Sequence, residues 1–164
     1  MIILGVDPGT AITGYGIIAS DGDALRMIAY GAITTPSNWQ LPQRLQHIHA
    51  ELTVLIAQHN PTDAVVEKLF FSKNVRTALS VGQARGVALL AAAQTGLAVH
   101  EYTPLQIKQA VVGYGRAEKM QIQQMVKLLL QLDCVPQPDD AADALAIAIC
   151  HAHSAKFERM KDER

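Results

Sequence analysis

The sequence predicts an α/β protein in which helices cover both faces of a mixed, five-stranded sheet. Three apolar or alternating segments follow one another at residues 2–7, about 14–20 and about 25–34, which indicates three consecutive strands. The Asp-Gly step at 21–22 is typical of the hairpin turn that joins the second of these strands to the third. From residue 41 onward, helical and strand patterns alternate, and this alternation places helices on the sheet.

The second part of the chain supplies two more strands and the helices. A helical apolar stripe begins at Leu41 and stops before Pro61, because the residue before a proline is disfavoured in a helix. Gly96 ends the next helix. In chain order the predicted elements are a helix at 41–59, a strand from 63 to about 69, a helix at 74–94, a strand at 97–102, and helices at about 103–112, about 118–132 and from 139 to about 153.

The composition is that of one globular domain, predicted at residues 1–155. Of the 164 residues, 49% are hydrophobic and 18% are charged, which supplies enough apolar surface for a core. Residues 156–164 are rich in charge and are expected to fray. No apolar run approaches the roughly 18 residues of a membrane span, and no signal peptide is visible. Cys134 and Cys150 lack a metal-type spacing, so we expect a cytoplasmic protein with free thiols and no membrane contact.

The charges are unevenly distributed along the chain. The formal net charge is −1, but the segment from Lys68 to Lys119 carries seven basic residues and two acids, a balance of +5 that leaves −6 for the remainder. A basic face of this kind is typical of phosphate binding. Chance clustering on a solvated surface explains the same numbers, and composition alone does not separate the two interpretations.

Four acidic residues interrupt apolar segments at places where a charge is costly to bury. Asp7 ends the first strand, and Glu67 ends the fourth. Asp140 and Asp143, three residues apart, share one face of the last helix. For Asp7 or Glu67 alone, a solvated turn residue is the simpler interpretation, and Asp139 is explained as a helix N-cap. Asp143 lies inside an alanine-rich, apolar helix and has no such explanation.

Taken together, these carboxylates predict a site for a hard divalent cation. Carboxylates that lie close together raise one another's pKa unless a cation is present. Mg²⁺ binds oxygen ligands, commonly carboxylates together with phosphate oxygens. Two such ions roughly 4 Å apart stabilise both the attacking and the leaving oxygen of a phosphodiester displacement. We therefore expect Asp7 to hold a metal ion.

Five motifs in the chain resemble, in order, those of the RuvC family of Holliday-junction resolvases. The motifs are ILGVDPGTAITGYGII, VVEKLFFSKN, ALSVGQARGVALLAA, YTPLQIKQAVVGYGRAEKMQI and DDAADALAIAICHAH. The resemblance extends from Ile2 to about His153. It implies a ribonuclease-H-like fold, a homodimer, and Mg²⁺-dependent nicking of two symmetry-related strands of four-way junction DNA.

The resemblance assigns the catalytic and metal-binding acids to Asp7, Glu67, Asp140 and Asp143. Asp139 adjoins this set, but the family spacing Asp-Ala-Ala-Asp-Ala-Leu selects Asp140. We hypothesise two Mg²⁺ ions per site, for which Mn²⁺ substitutes. One ion, held by Asp7 and an acid of the last helix, activates a water, and the other, shared with Glu67, stabilises the leaving 3′-oxygen.

The predicted DNA contacts combine basic residues with aromatic ones. Basic residues of the family near the scissile phosphate correspond to Lys108 and Lys119, and an aromatic that meets junction bases corresponds to Phe70 or its neighbour Phe71. Aromatic rings interleaved with basic residues are typical of stacking on nucleobases. The complete predicted set is Phe70, Phe71, Lys73, Arg76, Arg85, Lys108, Arg116 and Lys119.

Contacts with partner proteins are predicted more coarsely. The Gly/Ala-rich face of helix 74–94 is the predicted dimer contact, although the same face can instead pack on the sheet. By resemblance, the protein works with the RuvA and RuvB branch-migration complex, and no residue is assigned to that contact. The six histidines are expected to form no ligand set, since His151 and His153 face different ways on their helix.

Three other functions fit parts of the pattern. Another ribonuclease-H-like nuclease, such as a generic ribonuclease H, shares the fold and the acids. An actin- or sugar-kinase-type ATPase also begins with a strand, an aspartate and a Gly-Thr turn, as in DPGTAITG, but needs two such domains. A junction-binding protein without activity fits the basic segment, but has no use for acids that repel phosphates.

Overall fold

Among residues 1–68 and 74–162, which the computed structural model describes, five strands form one mixed sheet. In chain order they are β1 (Ile2–Asp7), β2 (Ile12–Ser20), β3 (Leu25–Thr34), β4 (Asp63–Glu67) and β5 (Ala98–Tyr102). Their spatial order is β3-β2-β1-β4-β5. The first three strands form an antiparallel meander, and β4 and β5 run parallel to β1. The predicted mixed sheet is confirmed.

Helices cover both faces of the sheet, as predicted. On one face lie α1 (Leu41–His59) and α2 (Val75–Gln94), and on the other lie α3 (Pro104–Val112), α4 (Lys119–Leu129) and α5 (Asp139–Asp162). Side chains of β1 alternate between the two layers, with Leu4 and Val6 in the core beneath α1 and α2, and Ile3 in the core beneath α5. Within the described part of the chain, no helix is long and apolar enough to cross a membrane.

Helix α5 is longer than the sequence indicated. It extends to Asp162, well beyond the predicted end near His153, so residues 156–162 are helical where we expected a frayed tail. The abundance of charge in this segment favoured fraying, but one of its charges has a distant partner. The Lys156 ammonium lies 2.6 Å from Asp23 Oδ1 in the turn between β2 and β3, which ties the last turns of α5 to the sheet.

The first half of α5 lies directly against the backbone of β1 and β2. Gly5 on β1, and Gly14 and Gly16 on β2, face this helix. A methyl group added at Gly14 would overlap the carbonyl oxygen of Asp140, and one added at Gly5 would overlap that of Ala144. Because glycine has no Cβ atom, the helix and the two strands lie closer together here than any other residue type at these positions would allow.

We expect Gly14→Ala to lower the free energy of unfolding by about 1–3 kcal/mol, because the new methyl group meets backbone atoms that move only if α5 lifts from the sheet. Urea unfolding followed by circular dichroism measures the change. Gly31→Ala on β3 is the matched control, since its methyl group meets the far end of the flexible Tyr15 side chain, which can shift; we expect it to cost less than about 1 kcal/mol. A loss no larger for Gly14→Ala than for the control would show that the close approach is not required.

Candidate active site

Asp7 and Glu67 occupy equivalent places at the ends of two neighbouring strands. β1 and β4 are parallel with Val6 opposite Val66, so the residue that follows each valine lies at the same edge of the sheet. Val6 and Val66 both pack in the core beneath α1 and α2. Since side chains alternate along a strand, the carboxyl groups of Asp7 and Glu67 both point to the opposite layer, which contains α5.

Helix α5 brings two further acids to this edge. Gly14, which pairs with Asp7 across β1 and β2, lies beneath the backbone of Asp140. Asp143 follows three residues later on the same face of the helix and lines the same cavity as Asp7 and Glu67. Acids from three separate segments of the chain are therefore brought together at one edge of the sheet.

A cavity of about 240 Å³ opens where these acids meet. Its lining combines three carboxylates and two lysines with apolar side chains of α3, α4 and α5. The lining residues are Asp7, Glu67, Pro104, Ile107, Lys108, Lys119, Ile122, Asp143, Ala146 and Ile147. A concave site with apolar walls and a few convergent charges is typical of the binding and active sites of proteins.

The carboxyl groups at this edge repel one another. Burial, followed by the negative charges of the other three acids, raises the pKa of Asp7 from 3.8 to about 7. Burial and then the charge of Asp143 raise the pKa of Glu67, and burial raises the pKa of Asp143 itself. Carboxylates behave in this way when no cation lies between them. The edge therefore has the electrostatic character of a cation site.

Two lysines flank the acids. Lys119, the first residue of α4, places its Nζ 3.3 Å from Asp139 Oδ2 and 3.5 Å from Asp143 Oδ2. Partial burial lowers the pKa of Lys119, but the two carboxylates outweigh this effect and raise its pKa overall. Lys108 on α3 lines the same cavity, and its charge opposes the rise in the pKa of Glu67. Both lysines thus present positive charge to the acid cluster.

Asp139 does not cap α5, so the capping interpretation is wrong. The helix begins at Asp139 itself, and the amide of Ala141 donates to the carbonyl of Pro138, which occupies the capping position. The Asp139 carboxylate instead pairs with Lys119 and accepts a hydrogen bond of 3.1 Å from Gln123 Nε2. Asp139 therefore joins the start of α5 to α4 beside the cavity.

Arg85, one of the predicted DNA contacts, is engaged within the protein. Its guanidinium pairs with the carboxylate of Glu101, and its Nε donates to the carbonyl of Glu67 at 3.4 Å. The side chain is only 19% exposed. The sequence analysis relied on the density of basic residues. That density does not reveal that Glu101 on β5 neutralises the charge of Arg85. Arg85 supports the end of β4 that carries Glu67.

The other predicted DNA contacts are placed differently. Arg76, near the start of α2, and Arg116, between α3 and α4, are exposed. Phe70, Phe71 and Lys73 lie outside the described residues.

A second cluster of chemically active side chains was missed by sequence reasoning. Ligand atoms of Asp63, His100 and His151 all lie within 4.8 Å of one another, so two histidines and an acid form a candidate ligand set that the sequence did not predict. Asp63 opens β4, whereas Glu67 closes it, so the cluster lies at the other end of that strand, about 13 Å from the acid edge. These residues come together only through the pairing of β4 with β5 and the packing of α5, which residue spacing does not reveal.

The sheet order, the acids at its edge and the long helix laid across them define a ribonuclease-H-like α/β fold. A solved structure of Thermus thermophilus RuvC in complex with a Holliday junction substrate superposes on the chain with a TM-score of 0.92. The two sequences are 35% identical, and the match covers 96% of each chain. The fold class predicted from the sequence is confirmed.

Sequence comparison gives the family. The model of the family described as crossover junction endodeoxyribonuclease RuvC matches residues 3–151. A relative of that name from Heliobacterium modesticaldum is 62% identical over 154 residues, 94% of this chain and 95% of the relative. One from Alkaliphilus oremlandii is 60% identical over 160 residues, 98% of each. The chain belongs to the RuvC family of crossover junction endodeoxyribonucleases.

The pKa of Asp7 predicts how the metal-free protein responds to pH. An acid whose pKa is raised by folding takes up a proton on folding between its ordinary value of 3.8 and about 7, so its contribution to stability is lost as the pH rises through this window. Asp7→Asn removes the buried charge, and we expect it to raise the melting temperature by about 2–8 °C at pH 8 and to change it little at pH 4. Melting curves recorded in EDTA measure the effect.

Asp133→Asn is the matched control for this experiment, because Asp133 is an exposed acid in the turn between α4 and α5. We expect it to leave the melting temperature unchanged at both pH values. Addition of Mg²⁺ at pH 8 should stabilise the wild type more than Asp7→Asn, since the cation relieves the repulsion among the acids. The same rise at both pH values for Asp7→Asn would be inconsistent with a pKa near 7.

Proposed function

We propose that this protein is a metal-dependent endonuclease that resolves four-way DNA junctions in recombination and repair by nicking two strands symmetrically. One observation carries the proposal: acids of β1, β4 and α5 converge on a cavity that Lys108 and Lys119 border, and the pKa of Asp7 rises there to about 7. A phosphodiester brings more negative charge to this edge, so its approach requires cations. The Thermus thermophilus relative, solved with a Holliday junction substrate, supports the choice of DNA.

The donor set fits Mg²⁺. Hard divalent ions take oxygen ligands, and every acid of the cluster offers carboxylate oxygen. We propose that Asp7, Glu67, Asp140 and Asp143 hold two Mg²⁺ ions, for which Mn²⁺ substitutes. When bound, such ions supply an activated water and stabilise the leaving 3′-oxygen.

The side chains of the protein orient the scissile phosphate. Lys108 and Lys119 present positive charge where negative charge develops on the phosphoryl oxygens during displacement, which lowers the barrier when the charges are held in place beforehand. Asp139 and Asp143 restrain the Lys119 ammonium through their contacts of 3.3 and 3.5 Å. Water attacks the phosphorus, the bond to the 3′-oxygen breaks, and a proton passes to that leaving oxygen. The products are 5′-phosphate and 3′-hydroxyl ends, which a ligase can seal.

Asp7→Asn is expected to bind a synthetic four-way junction with near wild-type affinity and to cleave it at least about 100-fold more slowly, because the change removes a central carboxylate but keeps its shape. Gel-shift and denaturing-gel assays with Mg²⁺ measure binding and cleavage on the same DNA. Lys108→Ala should slow cleavage by about 100–1,000-fold. Lys127→Ala, on the last turn of α4 and away from the cavity, is the matched control and should cut normally.

The choice of substrate decides between the competing functions. Paired, metal-dependent nicks on the junction, with linear duplex left intact, are the expected result. Cleavage of an RNA–DNA hybrid instead would favour a ribonuclease H, and binding by the wild type without cleavage in any metal would favour a binding protein. Cleavage by Asp7→Asn at a near-normal rate would refute the assignment of Asp7 to the metal site.

We propose that Arg76 and Arg116 contact phosphates of the junction arms, since both are exposed and positively charged. Phe70, Phe71 and Lys73 stay predicted contacts with bases and backbone at the junction. The proposed contacts lie on α2 and on the segment between α3 and α4, which are on opposite faces of the sheet. A junction that contacts both therefore spans an edge of the sheet.

We propose that two copies form a dimer through an exposed apolar stripe on α2. The alanines of this helix, at positions 78, 84, 88, 91 and 92, are buried within the chain, so the alanine part of the predicted contact face is already used. The opposite face presents Val75, Leu79 and Leu90, which are 73%, 63% and 51% exposed, with Gly86 among them. Symmetric nicking of two strands requires two active sites, and a twofold contact supplies them.

Leu79→Asp is expected to weaken the dimer at least about 30-fold, because a twofold contact loses the apolar side chain and gains a charge in both copies. Sedimentation velocity across micromolar concentrations measures the dissociation constant. Leu128→Asp on α4 is the matched control, since that leucine is 67% exposed on a different face. If only Leu128→Asp dissociated the dimer, the interface would lie on α4 instead. A wild type that is monomeric at these concentrations would refute the dimer.

Two further proposals rest on family membership. We propose that the protein works with the RuvA and RuvB branch-migration complex, and that it does so in the cytoplasm, where its DNA substrate is found. The free thiols accord with a reducing compartment, since Cys134 is exposed and forms no disulfide.

A further inference from the structure

The cluster at the far end of β4 has the composition and spacing of a transition-metal site. Asp63 Oδ1 lies 2.9 Å from His100 Nε2 and 3.5 Å from His151 Nε2. A metal ion bound at about 2.0–2.1 Å by each of two ligands in tetrahedral geometry holds those ligand atoms about 3.3 Å apart. The two measured separations lie on either side of that value.

The longer separation is informative. At 3.5 Å, the distance from His151 Nε2 to Asp63 exceeds the 2.7–3.2 Å of a good hydrogen bond, yet it matches two ligands of one ion. His151 is 5% exposed and Asp63 is 17% exposed, so packing fixes both donors. The His100 side chain is 38% exposed, so this donor lies on the solvent side of the cluster, and its ring centroid lies 4.2 Å from that of His151.

The surroundings of the cluster orient two of its three donors. Tyr102 Oη lies 2.9 Å from His151 Nδ1, so the ring can donate its Nδ1 proton to the tyrosine and direct Nε2 toward Asp63. The second oxygen of Asp63 accepts a hydrogen bond of 2.6 Å from the Thr62 hydroxyl. Histidines and carboxylates that bind metals are commonly held in this way by a second hydrogen bond.

We propose that Asp63, His100 and His151 bind one divalent transition-metal ion of the Zn²⁺ type, with water as the fourth ligand. Two imidazole nitrogens and one carboxylate oxygen suit Zn²⁺ better than Mg²⁺, which takes oxygen ligands. The site is separate from the acid edge, because β4 separates Asp63 from Glu67 by about 13 Å. The ion links α5 to β4 and β5, so its role is to hold the helix on the sheet.

Titration of the EDTA-stripped protein with Zn²⁺ in excess Mg²⁺, which occupies the acid edge, tests the proposal by calorimetry. The expected result is one equivalent bound with micromolar or tighter affinity, at least about tenfold weaker binding by His100→Gln, and weaker binding by Tyr102→Phe. Co²⁺ in place of Zn²⁺ should give the visible absorption of a tetrahedral site in the wild type but not in His100→Gln. His59→Gln, at the end of α1, is the matched control and should bind as the wild type does.

The variants also separate this proposal from the nuclease function. Zn²⁺ should raise the melting temperature of the wild type but not of His100→Gln, while both cut junction DNA equally well in Mg²⁺. No Zn²⁺ binding below millimolar concentration would show that the cluster is only a hydrogen-bonded group. Equal affinity in the wild type, His100→Gln and Asp63→Asn would place the ion elsewhere and overturn the assignment.

Discussion

The close packing of α5 on glycines of β1 and β2 is the contact on which the rest of the structure depends. Gly5, Gly14 and Gly16 carry no side chain, and the part of α5 that packs on them is rich in alanine. This approach sets the position of the helix on the sheet to within the size of a methyl group. It buries the helix in the core, and it also delivers Asp140 and Asp143 to the strand ends where Asp7 and Glu67 lie.

The same packing creates an electrostatic cost. Folding gathers four acids whose mutual repulsion and burial raise the pKa of Asp7 to about 7, and a structure under selection for stability alone would separate them. The apolar contacts of α5 hold them in place, with Lys119 as a partial counter-charge. The proposed binding site for cations thus depends on two opposed effects, the burial of an apolar helix and the repulsion of the charges that the helix carries.

The features that could be predicted from sequence are those that local pattern determines. Asp7 and Glu67 end apolar runs, and parallel strands place such ends at one edge, so their meeting follows from strand order. Asp139 was misread because capping is a local rule, whereas its real partner Lys119 comes from another helix. The ion pair of Arg85 could not be predicted because its partner Glu101 lies on β5, and Arg85 stays a predicted DNA contact. His151 meets its partners only through the register of two strands and one helix, which no spacing in the chain encodes.

The first half of helix α5 is packed on the glycines near Asp140, and the exposed ion pair of Lys156 with Asp23 adds a weaker contact further along the helix. Leu145 and Ile149 are fully buried in this half of the helix, so we expect the amides between them to exchange with solvent only through a large opening of the sheet–helix contact. The packing thus keeps the acids close together, and uptake of a proton by Asp7, or of the cations proposed above, relieves their repulsion.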